Sequence, residues 1–518
     1  MATFMKALLM TLIALSVAAV PVVAGERFPV LKLVPIKVPP VQAPKQKSSA
    51  EVKQSGVDVQ KGNVSLGAGA LDSKGGEFNT AIGNGALFYT KADHNTGIGA
   101  GALALNTDGY RNTASGSEAL YRNLNGYHNT ASGYQALTLN TDGYRNTASG
   151  SGALSRNRNG HHNTASGYQA LYSNVDGYRN TANGTYALYF NANGTENTAI
   201  GMAALVMNTS GSQNTASGYQ ALNLNRKGNS NTASGYQSLL RNTIGSNNTA
   251  TGYQALVNND SGSYNAAYAS GALYKNKGSY NSAAGYGSLY NNTSGSANTA
   301  SGSYALWKNQ DGRYNTAIGV AAGGMNTEGS RNVFIGFQAG ANTTYQSQSD
   351  KLVIANGKQS ANQLITGDFA AHTVNINGSL HASGNLTQNS DERLKKDIQP
   401  LNHALDAILQ LQGKTYRWKE DTTFANKADI GLVAQEVEKV FPELVAENEQ
   451  GYKGIAYSKL TAVLIEAMKE QQGQMTAQQD QITALEKENT QLKALVEGQM
   501  EALLARVAML EGETLAAN

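Results

Sequence analysis

Ser390 and Lys395 stand five positions apart at a sharp change of composition, and their side chains could form a nucleophile and its base. A serine hydroxyl attacks a carbonyl only when an adjacent group accepts its proton, and a lysine can accept it when its amine is neutral. Burial and nearby cations favour the neutral amine, and Arg393 and Lys396 lie close in the sequence. The chemistry that this pattern allows is the cleavage of an acyl bond.

A capped helix is the other interpretation of the same segment, and the residues alone favour it. Ser390 or Asp391 would cap its N-terminus, and the acidic side chains would face the positive end of the helix dipole. An apolar helical period follows at Leu394, Ile398, Leu401, Leu405, Ile408 and Leu409. We therefore expect a helix to begin at about residue 390.

A short repeat fills most of the chain before this segment. Gly is 56 of 518 residues and charged residues are only 15%, which favours packed turns over a large aliphatic core. A fixed period kept over this many copies predicts a solenoid. The motif NTASGYQAL or a variant begins, with steps of 17 residues and one of 16, at Asn112, Asn129, Asn146, Asn163, Asn180, Asn197, Asn214, Asn231, Asn248, Asn265, Asn281, Asn298, Asn315 and Asn332.

Each position of the repeat has a predicted role. In one copy, Ala114, Ala119 and Leu120 are the apolar positions, Gly116 is a tight turn, and residues 123–126 form an outer loop. Two short strands and two turns fit into each copy. Because alanine fills little volume, one chain buries little, and we expect the coils also to pack sideways in a homotrimer. Asparagines at one position of successive coils are expected to form a side-chain amide ladder.

The repeats resemble the head repeats of trimeric autotransporter adhesins. The resemblance lies in the core N-T/S-A-x-G and covers residues 62–340. It implies a left-handed β-roll, and it makes a carbohydrate or a cell surface the expected ligand of the stalk.

Four segments near the C-terminus resemble the intramolecular chaperone auto-processing domain of phage endosialidases, tail spikes and related fibres. In order, they are NSDERLKKDIQPL, TYRWK, IGLVAQEVEKVFPELV and IAYSKLTAVLIEAMKEQ. The resemblance implies a domain that trimerises the fibre and then removes itself by a Ser/Lys dyad. The nucleophile falls on Ser390 and the base on Lys395, with Lys396 as the alternative base. Ala456 departs from the family, which often has Asp there.

Ring size selects the expected scissile bond once Ser390 is the nucleophile. Attack on its own carbonyl would close a strained four-membered ring, whereas attack on the preceding carbonyl closes a five-membered one. We therefore expect cleavage between Asn389 and Ser390. The alternative, the bond between Ser390 and Asp391, requires the hydroxyl of another chain. Each chain would be cut once, without turnover.

A long helix is predicted from about Met468 to the C-terminus. A seven-residue period in this segment predicts an imperfect coiled coil whose buried polar residues, Asn489 among them, could set the register and the number of strands. Three strands would fit the trimer that the chaperone resemblance implies. The period runs through Met468, Met475, Ile482, Asn489, Val496, Leu503 and Leu510.

The N-terminus has the pattern of a signal peptide. Lys6 precedes an apolar run, and Val22 and Ala24 occupy the small-residue positions of a cleavage site. The pattern predicts a secreted or cell-surface protein without a membrane span after processing; an uncleaved anchor is the alternative. The absence of cysteine excludes disulfides, and a net charge of +3 argues against a nucleic-acid partner. The seven histidines are scattered, so neither a metal nor another cofactor is expected.

The predicted fold is a mainly β solenoid of 17-residue repeats, followed by a small α+β chaperone domain and a coiled-coil helix, in a trimer. The predicted function is a secreted trimeric fibre or adhesin-like protein whose C-terminal chaperone removes itself. The alternative is a phage-type tail fibre with a glycan-binding or glycan-cleaving stalk. Cleavage of glycans needs paired carboxylates about 5–10 Å apart, and the repeats hold about one carboxylate per coil or fewer. The predicted boundaries are signal peptide 1–24, Pro-rich linker 25–61, solenoid 62–340, transition region 341–389, auto-processing domain 390–470 and coiled coil 471–518.

Overall fold

The structure, a computed structural model, describes residues 56–58, 61–72, 75–420, 425–448 and 451–516. The predicted signal peptide and most of the predicted linker lie outside these residues. None of the helices in the described ranges combines the length and the apolar character needed to cross a bilayer.

A parallel β-solenoid occupies the repeat region, as predicted. Strands β2 to β19 pair in parallel, each with the next, inside a sheet of 21 strands. The register places equivalent residues side by side, so that Ala114 pairs with Ala131 and Ala131 with Ala148. Strand β1 joins the sheet antiparallel at its start, and β20 and β21 join it antiparallel at its end. The strands are β1 (Gly56–Asp58), β2 (Asn63–Leu66), β3 (Thr80–Ile82), β4 (Thr96–Ile98), β5 (Thr113–Ser115), β6 (Thr130–Ser132), β7 (Thr147–Ser149), β8 (Thr164–Ser166), β9 (Thr181–Asn183), β10 (Thr198–Ile200), β11 (Thr215–Ser217), β12 (Thr232–Ser234), β13 (Thr249–Thr251), β14 (Ala266–Tyr268), β15 (Ser282–Ala284), β16 (Thr299–Ser301), β17 (Thr316–Ile318), β18 (Val333–Ile335), β19 (Lys351–Ala355), β20 (Gln363–Asp368) and β21 (Thr373–Ile376).

Each repeat contains one three-residue strand, and the prediction of two strands per copy is wrong. The second apolar segment also stacks through backbone hydrogen bonds, because the Leu120 amide donates to the Ala136 carbonyl at 2.8 Å. Its backbone is not extended, however, since φ is +50° at Leu120 and +57° at Glu118. Gly116 has φ +137°, and a Cβ there would lie 2.5 Å from the Gly133 carbonyl oxygen, so only glycine fits this stacked turn.

The interior of the solenoid combines thin apolar layers with buried asparagine. Ala114, Ala119 and Leu120 are fully buried, which confirms their predicted role. A ladder is present at the predicted position, but it runs mainly from backbone to side chain: the Asn129 backbone amide donates to Asn112 Oδ1 at 2.9 Å, and the same contact recurs along the stack. The Asn129 side-chain amide donates to the Gly143 carbonyl at 2.8 Å.

A second asparagine ladder corrects the assignment of residues 123–126 to an outer loop. Asn123 is fully buried, and Asn140 Nδ2 donates to Asn123 Oδ1 at 2.6 Å. Asn123 Nδ2 also donates to the Gly126 carbonyl at 2.7 Å, so the turn closes on a buried side chain. The Asn–Gly spacing suggested an exposed turn. In the stack, however, the side-chain amide of Asn123 finds its hydrogen-bond partners inside the protein.

The last parallel coils depart from the repeat around one large residue. Phe334 occupies the place of the strand alanine and is fully buried. Gly323 and Gly340 stand where earlier coils have leucine, and a Cβ at Gly323 would lie 2.6 Å from the Phe334 ring. A phenylalanine thus fills the volume that two leucines would take.

A small α+β module follows. Its described elements are α1 (Ala404–Ile408), β22 (Lys414–Arg417), β23 (Ala428–Gly431), α2 (Ala434–Val440), β24 (Val445–Glu447), β25 (Lys453–Ile455) and α3 (Tyr457–Ala516), with 3-10 turns at Glu392–Leu394 and Pro442–Leu444. Two further 3-10 turns, Thr343–Tyr345 and Ser360–Asn362, lie at the end of the solenoid. A core of α1, α2 and the start of α3 contains Ala404, Val437, Phe441, Leu444, Leu460, Val463 and Ala467.

The helix predicted from residue 390 is absent from the structure. A three-residue 3-10 turn, Glu392–Leu394, is followed by irregular chain up to α1. Pro400 cannot donate a backbone hydrogen bond, and Asp397 and His403 have left-handed φ of +56° and +58°. The long C-terminal helix is present, but it begins at Tyr457 and not at Met468.

Candidate processing site

Ser390 and Lys395 lie in contact in the structure. Lys395 Nζ donates a hydrogen bond to Ser390 Oγ at 2.7 Å. The tight turn between them makes this possible: Asp391 caps it by accepting from the Arg393 amide at 2.9 Å, and the Lys395 amide donates to the Glu392 carbonyl at 2.9 Å. The chain therefore folds back and carries the amine to the hydroxyl.

Arg393 faces Asp391 and not the amine of Lys395. Its Nη2 lies 2.7 Å from Asp391 Oδ2, and this pairing holds the pKa of the Asp391 carboxyl below its usual value. Among the described residues, Ser390 is hydrogen-bonded by Lys395 and not by Lys396. Of the two lysines that the sequence offered, the turn brings Lys395 into contact with the Ser390 hydroxyl.

The pair lies on the surface of the single chain. Ser390 and Lys395 are both exposed, and so are their neighbours from residue 379 to residue 403. Large apolar side chains are exposed with them: Leu386 is 77% and Leu394 is 73% accessible. A single chain therefore does not supply the burial that favours a neutral amine.

A hydrogen-bonded pair of side chains ties the expected scissile segment to the start of the long helix. Gln388 Nε2 donates to Ser458 Oγ at 3.1 Å, and the Ser458 hydroxyl lies 3.3 Å from Gln388 Oε1. Ser458 belongs to the first turn of α3, and Gln388 immediately precedes Asn389. Sequence analysis did not single out this pair, because 70 positions separate the two residues and no local pattern links them.

The remaining segments of the module are held together around Tyr457 and Glu470. The Leu432 amide donates to the Tyr457 hydroxyl at 2.9 Å, which joins the end of β23 to α3. Glu470 accepts from the Ala404 and Leu405 amides at 3.1 and 2.8 Å, so α3 caps the N-terminus of α1. These backbone bonds lower the pKa of the Glu470 carboxyl.

Comparison with known proteins assigns this module. Residues 390–446 match the peptidase family described as chaperone of endosialidase. The matched stretch thus extends from Ser390 into β24. The match supports a self-cleaving peptidase domain in this part of the chain.

Phage tail fibre proteins are similar to part of the chain. The long tail fibre protein Gp37 of Salmonella phage S16 is 33% identical over 108 residues, which are 18% of this chain and 14% of that protein. The Gp37 proteins of Enterobacteria phages T2 and K3 are 33% and 35% identical over 126 and 103 residues, or 22% and 18% of this chain. These stretches cover only 9% and 8% of the two proteins.

The described part of the chain contains no cluster of potential metal ligands. There, no three side chains among His, Asp and Glu come together as a metal site would require. The one adjacent histidine pair, His161 and His162, lies among stacked rings of the solenoid, and the pKa of His161 is lowered by burial and by the neighbouring charges of His162 and Arg179.

Proposed function

We propose that this protein is a trimeric fibre whose C-terminal module is an intramolecular chaperone that cleaves itself from the stalk. The observation that carries the proposal is the 2.7 Å contact between Lys395 Nζ and Ser390 Oγ, at the first residues of the matched family segment. The solenoid in front of this site has the form of a fibre, and the tail fibre relatives support the same class of protein.

The cleavage chemistry can be written with the residues of one chain. The neutral amine of Lys395 accepts the proton of the Ser390 hydroxyl, and Oγ attacks the carbonyl carbon of Asn389. The peptide C–N bond breaks as the new ammonium returns its proton to the departing Ser390 nitrogen. Asn389 is then joined to Oγ by an ester. Water hydrolyses that ester, leaving a carboxylate on Asn389 and a free amine and hydroxyl on Ser390.

Trimerisation would control this reaction through burial. In one chain Ser390 and Lys395 are both open to water. Exposed apolar residues beside the site and along α3, such as Leu394, Met468 and Ile482, favour contact with other chains. Packing of three chains there would exclude water from the amine and make it a base. Cleavage would thus follow assembly, and efficient cleavage in an isolated monomer would contradict this order.

The decisive experiment follows the mass of the chain during expression. Residues 390–518 are 129 of 518, so cleavage releases about 14 kDa of the 54.5 kDa chain. We expect this fragment, with Ser390 at its N-terminus, from the parent and from Lys396→Ala. Ser390→Ala and Lys395→Met should remain intact while still forming trimers. If the parent also remains intact as a trimer, the module is an uncleaved trimerisation domain.

The position of the N-terminus of the fragment separates the two candidate bonds. A fragment that begins at Ser390 supports cleavage after Asn389, whereas one that begins at Asp391 supports attack by the hydroxyl of another chain. Co-expression of Ser390→Ala with the parent adds a control. Cleavage of the Ser390→Ala chain in mixed trimers would show attack between chains.

For the stalk we propose an extracellular or phage-associated role with a carbohydrate or a cell surface as its ligand. The tail fibre relatives support this setting, and the predicted signal peptide favours secretion by the cell. N-terminal sequencing of the exported chain tests the difference: a mature chain that starts after Ala24 supports the secreted fibre. An intact N-terminus on a protein that is found only in phage particles favours the tail fibre.

A further inference from the structure

Rings inside the aromatic columns of the solenoid have both faces covered, whereas the rings at the column ends have one neighbour. Tyr236 lies between Tyr219 and Tyr253, with ring centroids 5.2 Å away on each side and nearly parallel planes. Tyr144 is enclosed in the same way by Tyr127 and His161, at 4.9 and 4.7 Å. Rings stacked like this present their edges to solvent. They therefore lack the free face that a sugar ring needs for stacking.

Several columns end in an aromatic ring with no ring after it, as Tyr253 does before Ser270 and Tyr280 before Ala297, and one of them leads to Trp307. Tyr274 and Tyr290 stack with centroids 4.7 Å apart, and the equivalent residue of the next coil is Trp307. The coils that follow have Gly324 and Ala341 at this position. No aromatic side chain thus follows Trp307 at this position in the next two coils, and Trp307 is 37% exposed.

The small residues at this position lie beside the coils that accommodate Phe334. Its ring needs glycine at positions 323 and 340, where other coils have leucine. The adjacent outward positions, Gly324 and Ala341, are small as well. The surface beside Trp307 is therefore recessed over two coils.

A two-lobed depression occupies the recess. One lobe of about 250 Å³ is bounded by Trp307, Tyr304 and Gln338, and the other, of about 550 Å³, by Gln359 and Ser360. Met325, Ala341 and Lys358 line both lobes, so the two are continuous. Volumes of roughly 300–1,000 Å³ are usual for small-ligand sites.

We propose that this depression, hereafter the Trp307 groove, binds an acidic oligosaccharide. Trp307 offers a ring face to the C–H groups of a sugar, and Tyr304 stands at 88° to it as a side wall. Gln338 and Gln359 carry amides that can both donate to and accept from sugar hydroxyls.

Lys358 accounts for the preference for an acidic sugar. It is exposed at the junction of the two lobes, where its ammonium group can meet a sugar carboxylate. None of the described residues that line the two lobes is Asp or Glu, so the groove has no carboxylate to repel the ligand. It also lacks the acid and base of a glycosidase, and its role is binding without cleavage. This inference does not depend on self-cleavage of the C-terminal module.

Tryptophan fluorescence can report on the groove directly, because the chain has only Trp307 and Trp418. In the full-length Trp418→Phe protein, Trp307 is the single emitter. We expect a hexamer of galacturonic acid to shift and quench its emission in a saturable way, and a neutral cellohexaose to bind at least ten-fold more weakly. Calorimetry with the unsubstituted protein provides a measurement without fluorescence.

Three variants test the parts of the groove. Trp307→Ala should weaken binding at least ten-fold, and Gly324→Tyr should do the same by placing in the recess the ring that earlier coils carry. Lys358→Gln should remove the preference for the acidic hexamer. Tyr290→Leu, in the same column but one coil earlier, is the matched control and should bind as the parent does.

Several outcomes would overturn the proposal. One is that neither saccharide changes the fluorescence of the protein or gives a signal in calorimetry. Another is that Trp307→Ala and Gly324→Tyr both bind the acidic hexamer as tightly as the parent does. A loss of trimers in these two variants, with no saccharide binding in the parent, would instead make the recess a contact between copies of the chain.

Discussion

Removal of one buried asparagine should destabilise the stalk locally and by a predictable amount. Asn157 is fully buried, and its Nδ2 donates to Asn140 Oδ1 at 2.7 Å and to the Gly160 carbonyl at 2.8 Å. Its Oδ1 accepts from Asn174 Nδ2 at 2.8 Å. Asn157→Ala removes all three bonds and leaves each partner one bond short inside the protein.

The size of the effect follows from the number of bonds. Each buried hydrogen bond contributes about 1 kcal/mol net, so the free energy of local unfolding should fall by ~3 kcal/mol. Since a tenfold change in an equilibrium corresponds to about 1.4 kcal/mol, amide hydrogen exchange in the affected coils should become roughly 100-fold faster. The effect should be confined to neighbouring coils, because each repeat contacts mainly the next one.

Asn159→Ala is the matched control, two positions away in the same turn. Asn159 is exposed, and its Nδ2 donates to Asp176 Oδ1 at 2.7 Å. Surface substitutions of this kind usually change stability by less than about 0.5 kcal/mol. Hydrogen exchange measured by mass spectrometry on peptides from residues 140–180 compares the two. Equal protection losses in both variants would refute the view that the buried amide ladder stabilises the stalk.

Two further predictions concern the ends of the stalk and the C-terminal module. Gly340→Ala places a Cβ against the Phe334 ring at a backbone φ of +64°, so this coil should lose about 1–3 kcal/mol of local stability, measured by hydrogen exchange, and unchanged protection of the coil would contradict the tight fit of the Phe334 ring. Glu470→Gln weakens the cap of α1. Hydrogen bonds in the folded state lower the pKa of the Glu470 carboxyl from its ordinary 4.5. The carboxylate therefore stabilises the module above that pH, and this contribution is lost as the pH falls through the lowered pKa. Thermal melting followed by circular dichroism should therefore show a decline in acid for the parent that is smaller in the Gln variant, and identical acid profiles would contradict the assigned cap.

The sequence predicted the periodic parts of the molecule well, because a constant repeat length places equivalent residues next to each other in successive coils. A step of 17 residues fixes which residues meet between coils, and Ala114 and Leu120 could be assigned to the interior without coordinates. The second ladder was missed for a physical reason. Asn123 and Gly126 have the composition of an exposed turn, and only the stack of neighbouring coils provides partners that make burial of the amide favourable.

The processing site was predictable in composition but not in conformation. Helical spacing of the apolar residues after Ser390 suggested one helix, yet Pro400 and the left-handed backbone at Asp397 break it. The contact of Ser390 with Lys395 depends on the short turn that replaces that helix. Long-range contacts such as Gln388 with Ser458 have no signal in a single sequence, since each residue is locally unremarkable.

The repeat itself explains why a fibre of this kind needs a separate module for assembly. A shift of one coil leaves almost every contact unchanged, because Thr113 meets Thr130 in the same way as Thr130 meets Thr147. Few features of the described stack distinguish one register from the next, among them the 16-residue steps from Asn63 to Asn79 to Asn95, the one between Asn265 and Asn281, and the coil of Phe334. Chains that associate through the stalk alone would therefore have several registers of similar free energy. A non-repetitive module at one end removes this degeneracy, since its chains can align in one way only. Once the stalk has formed from that end, its packed coils would keep the chains in register, and cleavage at Ser390 would no longer change that register.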